Sequence, residues 1–85
     1  MYRVLFSKEA QRSLLSLPRP LAARIREKLA VVAEDPFAHN NNVTKLQNRP
    51  GYRLRVGDWR VIYDIRGDEL VILVVKVAPR GEVYR

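Results

Sequence analysis

The order of patterns along the chain predicts an α+β domain, β-α-α-β-β-β, with a helical hairpin packed on one face of a small, mostly antiparallel sheet. Three observations carry that prediction. A short β-rich run opens the chain, two segments with apolar residues at helical spacing follow, and the second half holds three strand-like runs separated by Gly-Asp turns. At 85 residues there is room for one domain, read as spanning 1–85.

Tyr2-Arg3-Val4-Leu5-Phe6 is short and dense in β-formers, which predicts the first strand. Ser7 is a good N-cap, since its hydroxyl accepts an N–H from the first turn of a helix carrying Ala10, Leu14, Leu15 and Leu17. Pro18 ends that helix, and Pro20 suits the first turn of the next, where its missing N–H is not needed. Leu21, Ile25, Leu29 and Val32 then form an apolar stripe, with Arg24, Arg26, Glu27 and Lys28 on the other side. Asp35-Pro36 closes the second helix, because a residue before proline is pushed out of the α region. From Phe37 to Gly51 the pattern is lost: His39-Asn40-Asn41-Asn42 and Asn48-Arg49-Pro50-Gly51 are turn chemistry, with Val43 to Leu46 read as an apolar anchor between them. Tyr52 to Val56, Trp59 to Arg66 and Glu69 to Ala78 are the remaining strands, joined at Gly57-Asp58 and Gly67-Asp68. The continuous apolar run Leu70 to Val75 predicts a central strand covered on both faces.

Sixteen Lys and Arg against nine Asp and Glu give a net charge of +7. The surplus is localised: residues 43–66 hold six basic residues against two acidic ones, a surplus of four. That points to a site for a polyanion rather than to a uniformly basic coat. With no Cys and a single His, disulfides and a thiolate or His-rich metal site are excluded. Hydrophobic residues at 47% are too many for a disordered basic tail. Tyr2 to Phe6 is followed at once by Ser7-Lys8-Glu9, which resembles neither a signal peptide nor a membrane span, so a cytoplasmic protein with no membrane partner is expected.

The register of the Gly57-Asp58 hairpin carries the functional reading. A two-residue loop sets Val56 opposite Trp59, Arg55 opposite Arg60, Leu54 opposite Val61 and Arg53 opposite Ile62. Side chains alternate faces, so Arg53, Arg55 and Arg60 share one side, while Tyr52, Leu54, Val56, Trp59, Val61 and Tyr63 take the helices on the other. Like charges directly across a strand pair cost roughly 0.2–1 kcal/mol. An anion offsets that cost, and phosphate matches the planar donor fork of guanidinium. An Arg-rich but merely solvated face is the alternative. Arg80 follows Pro79 at the end of the last strand, and Tyr84 stands beside it in the tail, where an aromatic ring stacks on an unpaired base or folds back on the domain.

These residues resemble a known family. Gly51-Tyr52-Arg53-Leu54-Arg55-Val56-Gly57-Asp58-Trp59-Arg60-Val61-Ile62-Tyr63, the later Val77-Ala78-Pro79-Arg80-Gly81-Glu82-Val83-Tyr84, and Glu34-Asp35-Pro36 with Lys45-Leu46 are similar to the RelE/ParE toxin superfamily. The resemblance covers essentially the whole chain and implies a microbial-ribonuclease-like fold. It also implies the toxin half of a type II toxin–antitoxin pair, in which RelE-type members cleave messenger RNA in the ribosomal A site without a metal or other cofactor. Carried over, Arg60 resembles the phosphate-stabilising arginine, Arg80 the arginine after the last strand, and Tyr84 the tyrosine that orients the base. Arg53 and Arg55 stand where RelE-type nucleases often carry lysine; they join Arg60, Arg80 and Tyr84 as catalytic candidates, and with Lys45 and Arg49 they are also the phosphate-binding candidates. Arginine stays protonated at neutral pH and is a poor general base, which leaves Tyr84, Glu82, Lys45 and His39 as titratable candidates. The implied partners are a RelB-like antitoxin, messenger RNA on the 30S A site and, through the antitoxin, operator DNA. The alternatives within the family are a ParE-like gyrase poison and a degenerate member that only binds its antitoxin.

Overall fold

The computed structural model describes residues 1–80. Its elements are β1 (Arg3–Phe6), α1 (Lys8–Leu15), α2 (Arg19–Glu34), β2 (Val43–Lys45), β3 (Tyr52–Val56), β4 (Trp59–Arg66) and β5 (Val71–Pro79). The sheet runs in the order β1-β5-β4-β3-β2, with β1 parallel to β5 and every other pair antiparallel. Both helices lie on the sheet, α1 over β5 and β1, α2 over β1 and β3.

Ser7 does two jobs where β1 turns into α1. Its Oγ accepts the Ala10 N–H at 3.1 Å, capping the helix, and donates to the Val75 carbonyl at 3.1 Å. Val75 is the extra residue on β5 where the β4–β5 register shifts between Ile62 and Tyr63. A bulge of this kind leaves a backbone group outside the ladder, and Ser7 satisfies it. Ala10 and Leu14 of α1 join Ile25, Leu29, Val32 and Ala33 of α2 over Leu54, Val56, Val61, Tyr63, Ile72, Val74 and Val77 of the sheet. This is the core that the alternation of the hairpin anticipates, with Tyr52 and Trp59 half-buried at its margin.

Three expectations are corrected. Val43–Lys45 is a strand rather than an isolated anchor: it adds to the edge of the sheet with Val43 opposite Leu54, Thr44 opposite Arg53 and Lys45 opposite Tyr52. Three residues between Asn-rich and Gly-containing turns are too few to show an alternation. The last strand starts at Val71 instead of Glu69, because Gly67 to Leu70 form a turn in which Leu70 takes φ 55° and its side chain is 52% exposed. β5 is interior but not covered along its length on the outer face. Among the described residues, that face buries Val71 near one end and a small cluster of Leu46, Ile62 and Ala78, with Val75 against it, near the other, while Leu73 and Lys76 between them stay partly exposed.

Two glycines shape the edge of the outer face. Gly51 has φ 111°, and a Cβ there would lie 3.0 Å from the Tyr63 carbonyl oxygen. Its own carbonyl accepts the Leu46 N–H at 3.0 Å, closing the loop between β2 and β3. Gly57 has φ 59° with open space around it, as the first residue of a tight hairpin turn requires.

Candidate nucleic-acid interface

The hairpin register is the one the alternation predicts: Val56 pairs with Trp59, Arg55 with Arg60, Leu54 with Val61 and Arg53 with Ile62. Paired residues point to the same side of a sheet, so Arg53, Arg55 and Arg60 stand together on the face away from the helices. Ala78 pairs with Arg60 across β4 and β5, and its short side chain leaves the guanidinium room on that side. The Arg80 N–H donates to the Asp58 carbonyl at 2.8 Å, tying the end of β5 to the β3–β4 turn. That bond fixes where the fourth arginine leaves the sheet.

The electrostatics show these four as one group. The Arg60 guanidinium is held below its usual range first by partial burial, then by the charges of Arg53, Arg80 and Arg55, with Asp58 opposing. The shift leaves arginine charged at neutral pH, so its meaning is repulsion rather than titration. Arg60 Nη1 donates to its own Trp59 carbonyl at 3.2 Å, which leaves most of its donor fork unspent by hydrogen bonds among the described residues. The only ion pair among the described residues is Arg66 with Asp64 at 3.1 Å, nearer the other end of β4. No carboxylate among the described residues is ion-paired to Arg55, Arg60 or Arg80.

A polar cavity of about 170 Å³ opens against this cluster, lined by Asn41, Asn42, Thr44, Arg53, Arg55 and Arg60. Arg49 is exposed in the loop after β2 and lines a neighbouring cleft of about 410 Å³ with Lys45 and Arg53. Lys45 pairs with Tyr52, so its ladder position is on the helix side, one residue off the arginine face. His39 is exposed, and its Nε2 donates to Asn41 Oδ1 at 2.8 Å. It braces the Asn-rich loop. Tyr84 and Glu82 lie outside the described residues. Among the described residues, no group of three or more His, Cys, Asp or Glu is placed to hold a metal ion.

Four residues of this face escape the sequence reading. Asn41, Asn42 and Thr44 look like turn and edge chemistry until β2 is recognised as a strand whose alternation continues the arginine face. Lys76 pairs with Ile62 and so stands on the same face, half-buried. The bulge at Val75 hides it, because counting by twos through β5 assigns the wrong side.

Comparison with known proteins agrees with this fold. A family model described as the ParE toxin of a type II toxin–antitoxin system, parDE, matches residues 4–84. The RelE chain of the archaeal RelE–RelB complex from Pyrococcus horikoshii is 34% identical, with 95% of this chain and 97% of that one covered and a TM-score of 0.79. The isolated E. coli RelE toxin is 26% identical over 99% of this chain and 92% of that one, with a TM-score of 0.80. The intact E. coli RelBE complex, at 22% identity over 96% of this chain and all of that one, shares the fold with a TM-score of 0.81. No match is found among curated proteins. The matched family model and the archaeal relative, each spanning nearly the whole chain, show that the chain belongs to the RelE/ParE superfamily of type II toxin–antitoxin toxins.

Proposed function

We propose that the chain is a ribosome-dependent endoribonuclease toxin that cleaves messenger RNA in the A site without a metal. The observation that carries the reading is the convergence of Arg53, Arg55, Arg60 and Arg80 on one face, with the repulsion registered at Arg60. In this reaction the 2′-OH of one nucleotide attacks the adjacent phosphorus and the P–O5′ bond breaks. The products are a 2′,3′-cyclic phosphate and a 5′-OH. The attacking hydroxyl loses its proton and the leaving oxygen gains one. The phosphorane between them carries more negative charge than the ground state, and four converging guanidiniums stabilise that charge most where it is largest. Arg60, flanked by Arg55 and tied by register to Ala78, is the donor for the phosphorane oxygens, and Arg80 approaches from the turn side. Tyr84 is read as the ring that orients the base. Lys45 and Arg49 take flanking phosphates.

The P. horikoshii and E. coli relatives are solved as complexes with RelB, which supports a RelB-like antitoxin as the protein partner of this chain. The test of the nuclease reading is messenger RNA cleavage in a translating extract. Wild-type protein gives cuts at specific codons, and an Arg60→Ala, Arg80→Ala double mutant gives none above background. Intact message with wild type, or undiminished cutting by the double mutant, sinks the reading. The matched family model bears the ParE name, so gyrase poisoning is the second reading. It predicts gyrase–DNA adducts and intact message in the same extract.

A further inference from the structure

The cavity beside the arginines has a second wall whose chemistry is not that of a phosphate site. Asn41, Asn42 and Thr44 carry no charge, and they line it together with Arg53, Arg55 and Arg60. Their placement follows from the edge strand. Val43 packs against the main core and pairs with Leu54, so its neighbours Asn42 and Thr44 project from the other face, beside the arginines.

The backbone of this wall is locked. Asn40 Oδ1 accepts the Asn42 N–H at 2.9 Å, the Asn42 carbonyl accepts the Arg55 N–H at 2.8 Å, and the Asn40 carbonyl accepts the Val43 N–H at 3.1 Å. The Asn42 main chain is therefore fully used, while no hydrogen bond among the described residues engages its carboxamide or the Thr44 hydroxyl. Asn41 accepts from His39 through Oδ1 at 2.8 Å, which fixes its amide and leaves its NH₂ group unspent. The wall thus offers two carboxamides and a hydroxyl, held still by bonds that consume none of the Asn42 amide. A carboxamide presents a donor and an acceptor side by side, the pattern needed to read the edge of a base, whereas a guanidinium beside it offers donors alone.

We propose that Asn42 and Thr44, with Asn41 beside them, form a base-reading wall, so that the arginines hold the phosphate of a single-stranded RNA while this edge selects the nucleotide next to it. The inference rests on the RNA reading above and deepens it. Discrimination is placed on β2 and the loop before it, and anion affinity on β3 and β4. A bidentate contact of this kind discriminates between bases by roughly tenfold or more.

Binding of 2′-fluoro pentaribonucleotides by fluorescence anisotropy tests this separately from cleavage, because the substituted strands lack the attacking hydroxyl. The probes are the A, C and U homopentamers and an abasic strand of the same length. Wild type is expected to bind the three bases with a spread of about tenfold and the abasic strand with lower affinity than the best of them. Asn42→Ala is expected to shrink that spread to less than about threefold, and Asn42→Asp, which keeps the side-chain shape and removes the donors, to shrink or reorder it. Arg55→Ala is expected to weaken all three together and keep the spread. Each variant is first checked for a native thermal transition, and both Asn42 variants retain the backbone bonds that hold the loop. A wild-type spread that survives both Asn42 variants, or no spread in wild type while all strands bind, overturns the inference and leaves the RNA reading standing. No binding of any strand by wild type overturns the wall, and the cleavage assay in the translating extract then decides the RNA reading by itself. Base preference that depends on Asn42 without cleavage in the extract supports the wall and counts against the nuclease alone.

Discussion

Tyr63 carries a cost that no group among the described residues offsets. Its side chain is fully buried, its ring stacks on Tyr52 with centroids 5.5 Å apart, and its hydroxyl has no hydrogen-bond partner among the described residues. An orphaned hydroxyl in the core costs about 1–3 kcal/mol. Tyr63→Phe is therefore expected to stabilise the fold by about 1 kcal/mol in urea denaturation, and a loss of stability would show that the hydroxyl has a partner. Burial, with the neighbouring Tyr52, pushes the Tyr63 phenol from 10.0 up to about 12. An acid whose folded pKa is raised gives no pH dependence below its unfolded value. Between pH 10 and about 12 the unfolded chain ionises Tyr63 and the folded one does not, so stability falls as pH rises through that window, by roughly 2–3 kcal/mol. The difference in alkaline stability between wild type and Tyr63→Phe isolates this contribution.

The elements meet at a few small contacts that decide where the site residues point. Ser7 caps α1 and holds the Val75 carbonyl at the bulge, so Ser7→Ala loses both bonds. A destabilisation of about 1–2 kcal/mol is expected in thermal or urea unfolding. Gly51 and Gly57 both take positive φ, but their substitutions should separate. Gly57→Ala meets no neighbour and costs the left-handed conformation alone, about 1–2 kcal/mol. Gly51→Ala must also move the Tyr63 backbone away from a 3.0 Å approach, and roughly 2–4 kcal/mol is expected. Equal costs at the two positions would mean that the β2–β3 loop adapts freely. The hairpin was legible in the sequence because Gly57-Asp58 fixes loop length, and loop length fixes register down to Arg55 opposite Arg60. The edge strand β2 was not, since a three-residue strand has no periodicity and owes its existence to pairing with β3. Lys76 escaped the reading for a related reason: a bulge adds one residue, and no local pattern in Leu70 to Val75 announces it.

Across the whole molecule, the charge of +7 is divided between a fold that tolerates it and a face that concentrates it. Arg53, Arg55 and Arg60 repel one another across β3 and β4, with Arg80 joining from the end of β5, and the core on the other face holds them in place. Arg55→Ala should therefore leave the free protein slightly more stable, by about 0.2–1 kcal/mol. Phosphate should raise the thermal midpoint of wild type beyond chloride of equal ionic strength, and Arg55→Ala should lose most of that gain. A variant both less stable and equally responsive to phosphate would mean that the face is solvated rather than poised for an anion. Three of the four arginines on this face followed from alternation and Arg80 from its position after Pro79, while the Asp58 contact that ties Arg80 to the hairpin turn is visible only in the fold. The uncharged wall followed from neither. The most direct test of the account is the single-turnover rate of message cleavage by purified protein on ribosomes programmed with one defined A-site codon. Cleavage leaving a 5′-OH, and a fall of about 10²–10³ in rate for Arg60→Ala at unchanged fold, is the predicted result. An intact message with wild type, or an Arg60→Ala rate equal to that of wild type, would contradict it.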